Sequence, residues 1–299
     1  MILVLGGHGQ LGTELVLQAR AANLSLTAAG HNEVDVADPK TIARAIARYR
    51  PSLIVNAAAY NNVDKAETQQ AAAIRANSLG PSVVAASAKR AGLPMVHIST
   101  DYVFDGTKCG AYVESDPTAP LGVYGRTKAA GEAAVRSALP RHVILRTSWL
   151  YGEFGHNFLK TMLRLARERD ELRVVADQRG CPTSTRDLAD AILAVAPRMT
   201  AREAIWGTYH FAGTGATTWH GFASRIVAAQ APLTGRRPHI VPITTAEFLT
   251  RARRPANSEL DCGLFAATFG FRGRPWTDEA DTIVRALVTA TLGAASHVA

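Results

Sequence analysis

Tyr124 and Lys128 are the residues whose types and spacing most directly suggest chemistry. They stand four apart in the segment VYGRTKAAGE (123–132), and residues four apart on a helix share one face, roughly 5–6 Å apart at Cβ. A phenol beside an ammonium group can deliver a proton as a general acid. The same spacing occurs on ordinary surface helices. Because the chain has 7 tyrosines, the pair needs support from the rest of the sequence.

Hydroxyl and carboxyl groups follow a short apolar run in the segment HISTDYVFDG (97–106). Ser99, Thr100 and Asp101 would stand at the end of a strand, where a hydroxyl can hydrogen-bond a substrate carbonyl as charge develops on its oxygen. An ordinary Ser/Thr/Asp turn after a strand has the same composition. These residues are therefore candidates whose role depends on what lies beside them.

A glycine-rich turn, GGHGQLG (6–12), directly follows the first apolar run. Gly6, Gly9 and Gly12 differ from the usual Gly-x-Gly-x-x-Gly fingerprint by one residue in the first interval. Glycines let the backbone turn tightly and let a pyrophosphate approach a helix N-terminus, where unpaired N–H groups favour anions. The position after a first strand predicts a dinucleotide site.

The end of the second apolar run bears on the choice of nicotinamide cofactor. NAD sites usually place an acid there, about 20 residues beyond the glycines, for the ribose 2′-hydroxyl. Here Ala29 and Gly30 occupy that point, and no arginine follows closely to hold a 2′-phosphate. Asp35 comes later and could meet adenine through its loop, or serve only as loop polarity. The residues leave NADPH and NADH both open, with a tilt toward NADPH.

Small side chains end the third apolar run in the segment NAAAY (56–60). Ligands of open α/β sheets lie outside the carboxyl ends of the strands, and alanines there let a flat ring or a ribose pass over the backbone. Close packing of a strand on a helix would select the same residues.

The elements that must position these groups alternate through the first two-thirds of the chain. Apolar strands separated by amphipathic helices indicate a parallel sheet covered on both faces. One helix should begin with Asp38 as N-cap and Pro39 at its first position, and another, over 72–92, should break or restart at Pro81. The strands are predicted at MILVLG, LSLTAA, SLIVNAAA, PMVHIST and HVILRTSWLYG.

Beyond about residue 151 the alternation loosens, which indicates a second domain. We expect an α/β fold: a Rossmann-type doubly wound parallel sheet with a smaller C-terminal α+β substrate domain and a cleft between them. The dinucleotide-binding domain would comprise residues 1–150 and returning segments near 183–213, and the substrate-binding domain mainly residues 151–182 and 214–299.

Composition excludes several classes of protein. The 299 residues are 47% hydrophobic and 19% charged, as expected of a globular protein, and no apolar run approaches the roughly 18 residues of a membrane span. Three widely spaced cysteines and an N-terminus unlike a signal peptide indicate a cytoplasmic protein. The net charge of +8 is dispersed without an aromatic-interleaved basic stripe, which favours anionic small molecules over nucleic acid.

Taken in order, the glycine turn, NAAAY, STDYVF, YGRTK and RTSWLYG resemble the extended short-chain dehydrogenase/reductases. The resemblance narrows to the dTDP-4-dehydrorhamnose reductases through VNAAAYNNVDKAE, STDYVFDG, APLGVYGRTKAAGE, DQRGCPTS, TTWHGFA and RRPANSELD. It runs from residue 2 to about 262 and continues weakly to Trp276. It implies an NAD(P)H-dependent enzyme that reduces the C4 ketone of dTDP-4-dehydro-L-rhamnose to dTDP-L-rhamnose, a nucleotide sugar for cell-surface polysaccharide.

The resemblance also implies roles for individual residues. Tyr124 would donate the proton to the substrate oxygen, and Lys128 would lower the pKa of Tyr124 and hydrogen-bond the nicotinamide ribose. Thr100 would hold the carbonyl, with Asp101 beside it in the sugar pocket. Trp149, otherwise a core aromatic at a strand end, would line that pocket as a flat wall. The implied cofactor-binding residues are Gly6, Gly9, Gln10, Leu11, Gly12, Asp35, Val36, Ala57, Ala58, Ala59, Tyr124 and Lys128.

Metal and oligomeric state depend on one departure from the family pattern. Some members dimerise around magnesium held by glutamates, and Glu14 is compatible with this. Arg186 stands where such members have an acid and would repel the ion, which argues against both the metal and that dimer. We therefore expect a monomer or homodimer without a metal.

Two alternatives remain open on the sequence. One is another nucleotide-4-ketosugar reductase or an epimerase. The other is a non-catalytic nucleotide-binding subunit of the same fold, against which the complete Thr100–Tyr124–Lys128 set argues.

Overall fold

The computed structural model describes residues 1–200 and 205–296. The strands, numbered in chain order, are β1 (Ile2–Leu5), β2 (Leu26–Ala29), β3 (Leu53–Asn56), β4 (Met95–Thr100), β5 (His142–Thr147), β6 (Leu150–Tyr151), β7 (Glu171–Val175), β8 (Arg179–Gly180), β9 (Thr183–Ser184), β10 (Gly207–His210), β11 (Thr217–Thr218) and β12 (His239–Ile243). The α-helices are α1 (Gln10–Ala21), α2 (Pro39–Tyr49), α3 (Val63–Ala66), α4 (Gln70–Ile74), α5 (Gly80–Arg90), α6 (Val123–Ala138), α7 (Phe158–Glu168), α8 (Thr185–Thr200), α9 (Trp219–Thr234), α10 (Gly263–Phe269) and α11 (Trp276–Ser296).

A parallel sheet in the order β10-β5-β4-β3-β1-β2 forms the centre of the described structure. Successive strand residues point to opposite faces, and both faces are buried. Val4 and Val55 pack against α1 and α8, whereas Leu3 and Ile54 pack against α2, α5 and α6. The predicted doubly wound parallel sheet is confirmed.

The helix that contains Pro81 restarts rather than breaks. A π-helical turn, Arg75–Leu79, joins α4 to α5, and Gly80 N–H donates to the Arg75 carbonyl five residues back. The wider turn places Pro81 in the first turn of α5, where its missing N–H costs little. Asp38 caps α2 through Lys40 N–H at 2.8 Å, and Pro39 begins that helix, as predicted.

The fifth predicted strand is shorter than the sequence indicates. β5 ends at Thr147, and the chain bends at Trp149, whose φ is +47°. Leu150 and Tyr151 then pair with β9 in a separate two-stranded sheet. A continuous strand across HVILRTSWLYG is therefore wrong. An apolar run does not by itself disclose a left-handed bend.

A second apolar cluster lies outside the central sheet. It is formed by α7, α9 and α11 with the parallel pair β7–β12, and includes Leu163, Phe222 and Ile283. β10 and α8 instead join the central sheet and its covering layer. The domain boundaries stay a prediction; residues 201–204 and 297–299 of the predicted ranges lie outside the described residues. Within the described residues, no helix has both the length and the apolar character needed to cross a membrane.

Candidate active site

A cavity of about 460 Å³ opens at the carboxyl ends of β1, β3, β4 and β5. The strands of a parallel sheet all end at one edge, which brings distant segments of the chain together there. Thirteen residues selected from the sequence line the cavity: Gly6, Gly9, Gln10, Leu11, Gly12, Ala57, Ala59, Ser99, Thr100, Asp101, Tyr124, Lys128 and Trp149. The sequence therefore located this cavity, although the role of each residue in it stays a prediction.

The glycine turn leaves room for a pyrophosphate at the start of α1. Gly6 has φ +87°, and a Cβ there would lie 2.7 Å from Ala58 N. A Cβ on Gly12 would lie 2.5 Å from the Gly6 carbonyl. The N-cap, Gly9, supplies no side-chain hydrogen bond, so the first N–H groups of α1 are available to an anion. A dinucleotide fits this cradle.

Tyr124, Thr100 and Asp101 form a buried chain of hydrogen bonds. The Thr100 hydroxyl donates to Asp101 Oδ1 at 2.9 Å and accepts from Tyr102 N–H at 3.2 Å, and it lies close enough to the Tyr124 phenol to affect its pKa. Burial raises the pKa of Tyr124 to about 12, against the lowering effect of the Thr100 hydrogen bond. Tyr124 is therefore protonated at neutral pH and able to donate its proton.

The Asp101 carboxyl group is unusual for its burial. Its side chain is 2% exposed, and desolvation raises its pKa to about 7, although hydrogen bonds from Ser258 and Thr100 oppose the shift. A carboxyl group that titrates near neutrality beside a reactive hydroxyl is typical of functional sites.

Lys128 lies on the same face of α6 as Tyr124, with its side chain buried. Its Nζ donates to the Ile98 carbonyl at 2.5 Å. Burial lowers the pKa of Lys128 to about 8, and the negative charge of Glu132 raises it. The ammonium group is thus bound to the backbone of β4 two residues before Thr100, and it titrates near pH 8.

Trp149 forms one wall of the cavity through the bend that ends β5. Its ring stacks on Trp219 with centroids 3.6 Å apart and planes 7° apart. Gly180 lies beneath it, and a Cβ there would come within 2.6 Å of the Trp149 ring. Trp219 Nε1 donates to Gln178 Oε1 at 3.2 Å, which holds the Trp219 ring in place.

Three residues predicted to bind cofactor lie outside the lining of this cavity. Asp35 accepts from Ala37 N–H at 2.9 Å and pairs with Arg75 at 2.6 Å. The Ala37 bond and the Arg75 partner hold the pKa of Asp35 below its usual value. Val36 is buried, and Ala58 packs against the apolar cluster on the sheet face that α2, α5 and α6 cover. Contacts of these three with cofactor stay predictions.

The end of β2 is crowded by a histidine. A Cβ on Gly30 would lie 2.3 Å from His8 Nδ1, so an acidic side chain there would require the exposed His8 ring to move. Glu33 instead reaches this point, where its Oε2 accepts from Gly30 N–H at 3.2 Å.

Sequence reasoning missed several residues that line the cavity. Thr147 and Ser148 follow β5 in the segment RTSWLYG, and their position at a strand end was the available signal. The other residues not selected are Asn61, Ile98, Leu150, Gly155 and His156.

A second cavity, of about 520 Å³, has no lining residue in common with the first but is connected to it through two aromatic contacts. Trp219 lines it and stacks on Trp149, and Tyr102 lines it and packs edge-on against Tyr124 at 6.0 Å. Phe158 adds a further aromatic wall. Its cationic residues are Arg169, Arg173 and Arg254. An apolar chamber with cationic side chains suits a flat base attached to phosphates.

Glu14 and Arg186, which bear on the metal prediction, are both engaged. Glu14 is buried and accepts from Gln18 Nε2 and Thr185 Oγ1, each at 3.2 Å. Arg186 pairs with Glu153. The described residues contain no group of three or more His, Cys, Asp or Glu side chains arranged to hold a metal ion.

Comparison with known proteins places this geometry among reductases. The family described as RmlD substrate binding domain matches residues 1–289. A dTDP-4-dehydrorhamnose reductase of Sinorhizobium fredii is 43% identical, over 96% of this chain and 97% of that protein, and one of Escherichia coli is 38% identical, over 97% and 99%.

Solved structures agree. A dTDP-4-dehydrorhamnose reductase from Clostridium acetobutylicum has a TM-score of 0.89 and 37% identity, covering 96% of this chain and 99% of that one. The Bacillus anthracis reductase, in complex with NADP, has a TM-score of 0.88 and 33% identity, covering 94% and 97%.

Proposed function

This chain belongs to the RmlD family of dTDP-4-dehydrorhamnose reductases, and from that premise we propose that it reduces the C4 ketone of dTDP-4-dehydro-L-rhamnose to dTDP-L-rhamnose with NADPH or NADH. The observation that carries the proposal is the single cavity in which the glycine turn meets Tyr124, Thr100 and Lys128. A ketone reduction needs a hydride, a proton and stabilisation of the developing alkoxide.

The residues of the glycine turn would hold the cofactor. The N–H groups at the start of α1 would bind the pyrophosphate, and Lys128 would hydrogen-bond the nicotinamide ribose. Ala57 and Ala59 line the cavity with small side chains, which leaves room for the cofactor. A bound nicotinamide would supply the hydride, and residues of this chain would supply the proton and stabilise the alkoxide.

Tyr124 delivers the proton to the substrate oxygen. With a pKa of about 12, the phenol is fully protonated at neutral pH. The Thr100 hydroxyl donates to Asp101 at 2.9 Å and affects the pKa of Tyr124, so it lies beside both the proton donor and the buried carboxyl group. The Lys128 ammonium stabilises the phenolate that forms when the proton leaves.

The two adjoining cavities would divide the substrate between them. The sugar would lie in the first, against the Trp149 ring and beside Asp101. The nucleotide would extend past the stacked tryptophans into the second, where Phe158 and Trp219 suit a base and Arg254 suits a phosphate. Arg254 already pairs with Asp64 at 2.7 Å, so phosphate would compete with this carboxylate.

We further propose that the enzyme acts in the cytoplasm as a monomer or homodimer and needs no magnesium. The Arg186–Glu153 ion pair supports the last point, because the Glu153 carboxylate is already bound to a cation. Sedimentation velocity would determine the oligomeric state, and turnover in excess EDTA that falls to the background rate would contradict metal independence.

Oxidation of NADPH or NADH, followed by absorbance in the presence of dTDP-4-dehydro-L-rhamnose, tests the function directly. The wild-type protein should oxidise at least one cofactor and form dTDP-L-rhamnose. Tyr124→Phe should lower kcat by about 10²- to 10⁴-fold, the usual contribution of a positioned general acid, with little change in cofactor affinity. Tyr209→Phe is the matched control, because that hydroxyl bonds the Ile205 carbonyl at 3.0 Å, away from the cavity. No oxidation with either cofactor would refute the proposal.

A further inference from the structure

The face of α6 that carries Tyr124 and Lys128 continues with a third ionisable residue, Glu132, four positions further on. Its carboxylate is fully buried and lies beneath the reaction cavity. Oε1 accepts from Ser99 Oγ at 2.5 Å and Arg146 Nε at 2.9 Å. Oε2 accepts from Arg146 Nη2 at 2.8 Å and from both terminal nitrogens of Arg136 at 3.1 Å. The carboxylate is therefore bound from three elements.

Glu132 connects α6 to the two central strands at the level of the cavity. Ser99 on β4 and Arg146 on β5 are partners across the sheet, and one carboxylate binds both. Ser99 lies between Ile98 and Thr100 on β4. The Ile98 carbonyl accepts a hydrogen bond from the Lys128 ammonium group. The Ser99–Glu132 bond therefore holds the short piece of backbone on which Lys128 and Thr100 both depend.

Glu132 is charged despite its burial. Desolvation opposes ionisation, but the Arg146 and Ser99 hydrogen bonds and the charges of Arg146 and Arg136 hold the pKa of Glu132 below its usual value. Its negative charge also counteracts the effect of burial on Lys128. The titratable and charged groups near Lys128 are Tyr124 and Glu132 on α6, His97 and Asp101 on β4 and at its end, and Arg146 on β5.

We propose that Glu132 is a positioning residue for the reductase reaction: its carboxylate keeps Lys128 charged and holds the end of β4 in register with α6. The inference rests on the proposed function, because Lys128 acts there as a cation. Glu132 touches neither substrate nor cofactor, and acts through Lys128 and Ser99.

The test compares Glu132→Gln, which keeps the shape and removes the charge, with Glu132→Asp, which keeps the charge and shortens the side chain. The first readout is the pH dependence of Lys128 acetylation by trace acetic anhydride in the ligand-free protein, measured by mass spectrometry. Only the neutral amine reacts, so the midpoint reports the pKa of Lys128. The second readout is the alkaline limb of the kcat profile.

We expect Glu132→Gln to move the acetylation midpoint down by about one unit or more, as loss of a neighbouring charge in a protein interior predicts. The alkaline limb of kcat should move in the same direction, because less Lys128 is charged at a given pH. Glu132→Asp should stay near the wild-type midpoint. A purely structural role predicts the reverse order, with the isosteric Gln variant milder than Asp, and that order would overturn the inference.

Two further outcomes are separable. If Glu132→Gln does not fold, because Arg146 is left buried without its partner, the double variant Glu132→Gln/Arg146→Gln replaces it. The midpoint of the double variant should lie below that of Arg146→Gln alone, because only the Glu132 charge differs between these two proteins, and equal midpoints would sink the inference. If the wild-type protein lacks reductase activity, the proposed function fails, whereas the acetylation midpoints still decide whether Glu132 controls Lys128.

Discussion

Replacing Thr100 by valine isolates the hydroxyl that links the proton donor to the buried carboxyl group. Valine has nearly the same shape as threonine but neither donates nor accepts a hydrogen bond. In this structure the change removes the bond to the Tyr124 phenol, the 2.9 Å bond to Asp101 and the 3.2 Å bond from Tyr102 N–H. The Thr100 hydroxyl has a single proton, which would turn from Asp101 to the phenolate as Tyr124 gives up its own proton, and valine removes this donor.

The size of the effect follows from the charge that the hydroxyl serves. A hydrogen bond to a charged group contributes roughly 1.5–3 kcal/mol, and each 1.36 kcal/mol of barrier changes a rate about tenfold. We therefore expect kcat of Thr100→Val to fall by roughly 10- to 150-fold. Cofactor affinity should stay near the wild-type value, because the proposed arrangement puts Thr100 against the sugar and not against the cofactor.

The assay is steady-state reduction of dTDP-4-dehydro-L-rhamnose, with cofactor binding measured separately by fluorescence. Thr100→Ser is the matched variant, since it keeps the hydroxyl and loses only a methyl group. It should retain most of the wild-type kcat. If Thr100→Val is as fast as wild type, or if Thr100→Ser is as slow as Thr100→Val, the hydroxyl does not act as argued.

Three further predictions concern the same region. Because the pKa of Asp101 is raised from 3.8 to about 7, this group stabilises the fold at low pH and that stability is lost as the pH rises through 7. The stability of Asp101→Asn relative to wild type should therefore rise between pH 5 and pH 8 by at most roughly 3 kcal/mol, about two pH units at 1.36 kcal/mol each, and equal thermal shifts at both pH values would contradict the argument. Gly131→Ala should destabilise the protein by about 1–3 kcal/mol in urea unfolding, because its Cβ would lie 2.1 Å from the Asn77 carbonyl oxygen. An unchanged or higher stability would show that α6 and the π-helical turn that contains Asn77 separate freely. Trp149→Ala should raise the KM for the nucleotide sugar by roughly 2- to 13-fold, the equivalent of one aromatic stack, and leave the KM for the cofactor unchanged. The variant also removes the ring that stacks on Trp219. An equal rise in both KM values would show that Trp149 does not lie against the sugar.

Much of the fold was readable from local pattern. The apolar strands and amphipathic helices repeat with the periods that each structure requires, and the parallel sheet followed from fully apolar strands. Asp38 and Pro39 predicted the start of α2 because capping depends only on neighbouring residues. The bend at Trp149 was not readable, because an apolar run has the same composition whether or not it turns.

The sequence by itself determined which residues come together at the sheet edge. In a parallel fold the residues that follow each strand meet at one end, so the glycine turn, the NAAAY segment, Thr100 and the start of α6 converge from their chain positions alone. The helical repeat likewise determined that Tyr124, Lys128 and Glu132 share a face.

Only the tertiary structure decided what those residues do to one another. Burial sets the pKa of Asp101 and of Lys128, and burial depends on packing by segments far along the chain. The stack of Trp149 on Trp219 and the second cavity join residues that no local pattern relates. Local periodicity specifies an element and its face, whereas desolvation and long-range contacts arise only when the elements are packed.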